Sequence, residues 1–157
     1  WGLGMDGSGP AEIIPPNGED VPLLTFLYPN GTEVVYDKIS STFPGVRFEG
    51  TNGLVEVARE YLITEPQSLR RQRIGPNEIH LHRAFNHQTD FLESVRIRRR
   101  PSSDAEIARR SLTVCHLGNI ARWVNRPLKW DAKNERFIND DEASRMVFRE
   151  PRSPWRY

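Results

Sequence analysis

The sequence predicts an α+β protein built on an open, mostly antiparallel sheet with helices packed on one face. Two observations carry this expectation. The first half of the chain reads as successive β-hairpins, and the second half changes to helical periodicity. Strands first and helices later point away from an alternating βαβ arrangement. At 157 residues the chain is the size of one ordinary domain and long enough to bury one sizeable core.

The N-terminal stretch is glycine-rich, and the turn signal Asp6-Gly7-Ser8-Gly9-Pro10 leads into a short strand from Ala11 to Ile14, which Pro15 and Pro16 end. Leu23 to Tyr28 and Glu33 to Lys38 are rich in β-branched and aromatic residues. Pro29-Asn30-Gly31 separates them, and Asn and Gly tolerate the positive φ of a tight turn. A second hairpin follows, with Gly45 to Glu49 and Leu54 to Tyr61 flanking Gly50-Thr51-Asn52-Gly53. Ser68 to Arg73 reads as a helical turn or an irregular connection, and Glu78 to His82 as a further short strand.

From about Asn86 to Arg98, Phe91, Leu92 and Val95 recur at helical spacing, and Pro101 stops the run after an arginine-rich last turn. Ser103-Asp104-Ala105-Glu106 matches a capping box, opening a helix to about Trp123. Its expected core face holds Ile107, Val114, Cys115, Leu117, Gly118, Ala121 and Val124. Cys115, Gly118 and Ala121 are small enough to let the helix lie close to a sheet. The opposite arc, with Arg109, Leu112, His116, Asn119 and Trp123, is too mixed for a solvated surface and implies a second contact layer. Leu128 to Trp130 and Arg136 to Ile138 form a short two-stranded piece. Asn139 to Glu142 caps a last helical segment before the aromatic tail, Trp155 to Tyr157.

Composition narrows the function. Lys and Arg total 22 against 21 Asp and Glu, a net charge of +1, so no global field draws the molecule to nucleic acid or anionic lipid. The arginines from Arg96 to Arg100 sit where a helix C-terminus attracts cations, and no DNA-reading motif accompanies them. The apolar run from Val21 to Tyr28 is far shorter than the roughly 20 residues a membrane span needs. Cys115 is the single cysteine, which excludes an intramolecular disulfide and a cysteine-based zinc cluster.

His80 and His82 would share one strand face, yet no third ligand stands at a convincing position, so no metal site is expected. No Gly-x-Ser-x-Gly elbow occurs, and no Gly-x-Gly-x-x-Gly turn stands between a strand and a helix, which leaves neither a hydrolase nucleophile nor a dinucleotide cradle. His87, at the start of a helix, and His116 with Asn119, which can donate and accept beside Leu112 and Trp123, are the candidate substrate or interface contacts.

Four stretches nevertheless resemble the C-terminal domain of the Gfo/Idh/MocA-like oxidoreductases, in particular the bacterial subset with a C-terminal extension. They are WGLGMDGSGPAEI at 1–13, GVRFEGTNGLVEV at 45–57, NHQTDFLESVRIRRRP at 86–101 and SLTVCHLGNIARWVNRPLKWD at 111–131. The CHLGNIA helix followed by LKWD is the most specific, and Pro154-Trp155 is also similar to the subset.

The resemblance implies a parent enzyme in which an N-terminal Rossmann domain binds NAD or NADP. It also implies hydride transfer to or from a hydroxyl-bearing carbon of a sugar or polyol, with the sheet domain forming the substrate wall and, through its open face, a homo-oligomer. The catalytic lysine and histidine of the family lie before the segment resembling WGLG. The expectation is therefore a fragment that starts downstream of the catalytic motif, binds no cofactor of its own, carries no catalytic residue and is inactive in isolation. Arg109 departs from the family pattern, which has histidine before Arg110-Ser111. A stand-alone carbohydrate-binding or interaction module without a redox step is the alternative. The compartment is not legible, since any export signal would lie upstream.

Overall fold

The computed structural model describes residues 1–18, 20–36 and 45–154. The chain divides into two compact units, residues 1–36 with 86–157, and residues 37–85.

The first unit contains β1 (Glu12–Ile14), β2 (Leu24–Leu27), β3 (Glu33–Tyr36), α1 (His87–Ile97), α2 (Ala105–Val124), β7 (Leu128–Asp131), β8 (Arg136–Phe137) and α3 (Asp141–Arg145). The second contains β4 (Val46–Gly50), β5 (Gly53–Ala58), β6 (Tyr61–Glu65) and a 3-10 turn at Gln67–Arg71. The α+β expectation is met. The strands form two open sheets, ordered β3-β2-β1-β7-β8 and β4-β5-β6, and every pairing is antiparallel.

In the five-stranded sheet, Ile13 of β1 stands opposite Phe26 of β2 and Leu128 of β7, and Phe26 stands opposite Val34 of β3. Alternation along each strand therefore puts Ile13, Leu24, Phe26, Leu128 and Trp130 on one face. All five are buried, together with Leu117, Ile120 and Ala121 of α2, Phe137 of β8 and Ala143 of α3. This is the core, and it lies wholly within the first unit. Trp130 and Phe137 close its far end edge to face, with ring centroids 5.0 Å apart, a favoured aromatic geometry.

The approach of α2 to the sheet is set at Gly118. A Cβ built there would stand 2.8 Å from Leu24 Cδ2 and 2.9 Å from Phe26 Cζ, nearer than carbon atoms pack. The buried arc centres on the line of Leu117 and Ala121, and it takes in Ile120. Cys115 lies about 60° beyond Gly118 on the other side, at about 100° per residue, and is exposed. Its expected core position is thus overturned, and Ile120 was missed.

Polar groups fix the ends of the helices. Asn86 caps α1 by accepting from the Gln88 and Thr89 amides. Asp90, buried on α1, accepts from Arg99 Nη2 at 2.5 Å and from the Ser102 amide at 2.7 Å, so one carboxylate ties the α1–α2 connection to its helix. The expected capping box of α2 shifts by one residue. Asp104, not Ser103, accepts from the Glu106 amide, and the Glu106 side chain turns to Arg109 and Arg110 instead of back to residue 103. Asp140 caps α3 and also receives Arg126 through two hydrogen bonds of 2.9 and 3.1 Å. That pair joins the end of α2 to the start of α3.

The two expected hairpins belong to different sheets, and β6 adds a third strand that starts at Tyr61, where the strand expected from Leu54 ends. Gly53 pairs with Gly50 and adopts φ +136°. A side chain there would collide with the Glu65 carbonyl, so the turn requires glycine on two counts. The stretch 78–82 forms no strand. Its alternating pattern has no neighbour to pair with among the described residues. The end of the expected strand at Lys38 and the tail at 155–157 lie outside the described residues.

The seam at Gly118 gives a direct test. Gly118→Val is expected to cost about 1–3 kcal/mol by overpacking, whereas Cys115→Val, on the exposed side, should stay within about 0.5 kcal/mol of wild type. Urea denaturation followed by far-UV circular dichroism measures both, and equal costs would show that α2 is not seated as described.

Candidate functional site

The long helix α2 presents two different surfaces. Its inner arc is spent on the sheet, while Leu112, His116, Asn119 and Trp123 remain exposed on the outer one. Leu112 is 57% and Trp123 72% accessible, which is high for residues of their size. The outer arc sets the apolar Leu112 and Trp123 beside two amphoteric side chains, and the second contact layer expected there does not cover them among the described residues. His116 and Asn119, one helical turn apart, can donate and accept side by side. His87 is the first residue of α1 and is also exposed. No hydrogen bond or ion pair joins it to His116 or Asn119, so the structure brings two of the three candidate residues together and leaves the third on another helix.

A cleft opens beside the N-terminal half of α2, lined by Ser8, Gly9, Arg109, Thr113, Trp130 and Glu135. Its charges form a closed set. Glu106 receives the Arg109 guanidinium through two hydrogen bonds of 2.9 Å and Arg110 Nε at 2.8 Å, and Arg109 also pairs with Glu135 from the β7–β8 turn. The hydrogen bond from Arg109 is the leading reason that the Glu106 carboxyl is held at about 2, below its ordinary 4.5. Arg109 is pushed up in turn, first by Glu106 and then by Glu135. The spacing of Glu106 with Arg109 and Arg110 at i+3 and i+4 is a pattern a sequence can reveal. Glu135, 26 residues from Arg109, gives no such signal. Arg109 is thus committed to two carboxylates.

The remaining candidates resolve simply. His80 uses its ring to bond the Gly75 carbonyl at 2.9 Å, and among the described residues no group of three His, Cys, Asp or Glu side chains is placed to hold a metal ion. Arg96 pairs with Glu93 and Arg99 with Asp90, so much of the arginine run serves its own helix. No helix is long and apolar enough to cross a membrane among the described residues. A dinucleotide needs a glycine turn between a strand and the helix of a βαβ unit. Among the described residues every strand pairing is antiparallel, and no such parallel unit is formed.

The match of known families follows this architecture. The model described as the oxidoreductase family, C-terminal alpha/beta domain, of the Gfo/Idh/MocA type, matches residues 23–157. The chain belongs to that family. The matched span holds the second, third and fourth of the resembling stretches and includes β2 to α3, whereas 1–13 lies before it. No curated protein and no solved structure matches the chain.

The Glu106 network has a pH signature. A carboxyl held below its unfolded value stabilises the fold at neutral pH, and that contribution is lost as pH falls from about 4.5 toward 2. Glu106→Gln should therefore be less stable than wild type at pH 7, with the gap closing as the pH approaches 2. Urea midpoints at pH 7, 4.5 and 3 measure it. A gap that stays constant would mean that Glu106 is not linked to folding through its charge. Because the group is exposed, the effect is a small one.

Proposed function

We propose that this chain is the substrate-wall and oligomer-forming part of an NAD(P)-dependent oxidoreductase acting on a sugar or polyol-like molecule. The Rossmann domain that binds the nicotinamide cofactor, and the catalytic lysine and histidine, belong to a segment encoded upstream. The observation that carries the reading is the family match over residues 23–157. It is supported by the outer surface of α2, where His116 and Asn119 offer hydrogen bonds to hydroxyl groups beside the apolar Leu112 and Trp123. Sugar recognition needs that mixture of directional polar groups and flat apolar surface. His87 is the third contact in this reading.

Division of labour follows from the chemistry. Hydride transfer requires cofactor, proton-transfer groups and substrate around one carbon. When bound, the cofactor supplies the hydride acceptor or donor. This chain's share is to bind and orient the substrate and to keep water away from it.

In the protein expressed with its upstream segment, His116→Ala and Asn119→Ala together are expected to reduce kcat/KM at least tenfold on the best sugar or polyol substrate, by steady-state reduction of NAD or NADP. Because both side chains are exposed, the thermal midpoint should move by less than about 2 °C. Full activity in the double variant would remove these residues from the substrate wall, and no nicotinamide-dependent turnover of any sugar or polyol would sink the whole reading. The isolated chain titrated with monosaccharides should bind none tightly. Strong binding there would favour a carbohydrate-binding module instead.

A further inference from the structure

The end of α2 leaves one cation unspent. Of the three arginines on that helix, Arg109 and Arg110 are taken by Glu106, and Arg109 also by Glu135. Arg122 is exposed and has neither a hydrogen bond nor an ion pair among the described residues. Its one contact is with a ring: the guanidinium carbon lies 5.7 Å from the centre of the Tyr36 ring, within reach of a cation–π interaction. Tyr36 ends β3, the outer strand of the five-stranded sheet, opposite Leu24. Alternation therefore turns it to the face on which α2 lies.

Helical spacing brings these groups to the candidate surface. Arg122 and Trp123 follow Asn119 at i+3 and i+4, so both are its neighbours on the helix. Asn119 is thus flanked by Trp123 on one side and by Arg122 with Tyr36 on the other. Both rings are open to solvent, Trp123 at 72% and Tyr36 at 67%. The helix dipole favours a cation in the last turn, which accounts for the charge of Arg122 but not for two large open rings beside it. Contact with Tyr36 holds the guanidinium without neutralising it, and its N–H groups remain available to a planar anion.

Resting on the sugar or polyol reading above, we propose that Arg122 selects a sugar acid. It pairs with the carboxylate of the substrate, while His116 and Asn119 bond hydroxyl groups and Trp123 covers the apolar face of the sugar. Tyr36 is a positioning residue that acts through Arg122. One guanidinium matches the single charge of a carboxylate. A phosphate ester, at about −1.5 to −2 near neutral pH, calls for a second cation, and Arg109, Arg110 and Arg126 are all committed to carboxylates. The carboxylate is a handle and is not consumed. Oxidation sends a hydride from a hydroxyl-bearing carbon to the nicotinamide and the hydroxyl proton to a proton-transfer group of the upstream segment.

The protein expressed with its upstream segment is assayed by reduction of NAD and NADP on matched pairs, glucose with glucuronate and galactose with galacturonate, and on glucose 6-phosphate. The expected result is a kcat/KM at least tenfold higher for the acid of one pair than for its neutral sugar. Arg122→Gln should lower that preference at least tenfold, chiefly through KM, and Arg122→Lys, which keeps the charge, should retain part of it. Tyr36→Leu should weaken the preference and Tyr36→Phe preserve it, because the ring alone holds the guanidinium. Neutral sugars or the phosphate turned over at least as well as the acids, or a preference for the acid that Arg122→Gln leaves intact, overturns the inference while the oxidoreductase reading stands. No nicotinamide-dependent turnover of any sugar, polyol or sugar acid defeats the oxidoreductase reading, and the selection by Arg122 with it.

Discussion

The close seating of α2 on the five-stranded sheet is the constraint on which the first unit depends. The ten core residues among those described belong to that sheet, α2 and α3, so this core is one-sided. Its depth is fixed where Gly118 admits Leu24 and Phe26 to the helix backbone. A larger residue there would lift the helix and loosen Leu117, Ile120 and Ala121 together. Close-packed interiors tolerate little of that.

Around this seam, a few carboxylates decide how the helices connect. Asp90 gathers Arg99 and the Ser102 amide, and Asp140 both caps α3 and takes Arg126. Arg126 holds the Asp140 carboxyl below the ordinary range, with the Ala143 amide adding to the effect. No buried side-chain polar atom among the described residues lacks a partner. The polar groups thus specify connections while burial supplies the driving force. The second unit is different in kind. It has ladders and turns but no buried residue among those described, and apolar side chains such as Val46, Val57 and Leu62 are exposed.

Much of this was legible beforehand for physical reasons. Turn chemistry located both hairpins, since Asn30-Gly31 and Asn52-Gly53 supply conformations that most residues avoid. Helical spacing located α1 and α2, and Asn86 and Pro101 bounded the first of them. What failed was the fine rotation of α2. A broad apolar arc is compatible with several azimuths, and only contact with Leu24 and Phe26 chose the one that buries Ile120 and exposes Cys115. The strand expected at 78–82 failed for a related reason: alternation records a propensity, and a strand exists only where a neighbour accepts its hydrogen bonds.

The candidate site divides along the same line. His116 and Asn119 could be placed on one face from their spacing alone, because i and i+3 positions are neighbours on any helix. The partner of Arg109 from across the chain, Glu135, could not, and neither could the separation of His87 from the other two. The sequence by itself determined the fold class, the hairpins, the long helix with its two unlike faces, and the resemblance that the family match bears out over residues 23–157. The tertiary structure alone decided which arc of α2 meets the sheet, that the hairpins enter separate sheets, and where the arginines are spent. Local spacing fixes direction along one element, whereas contacts between distant residues depend on how the elements pack.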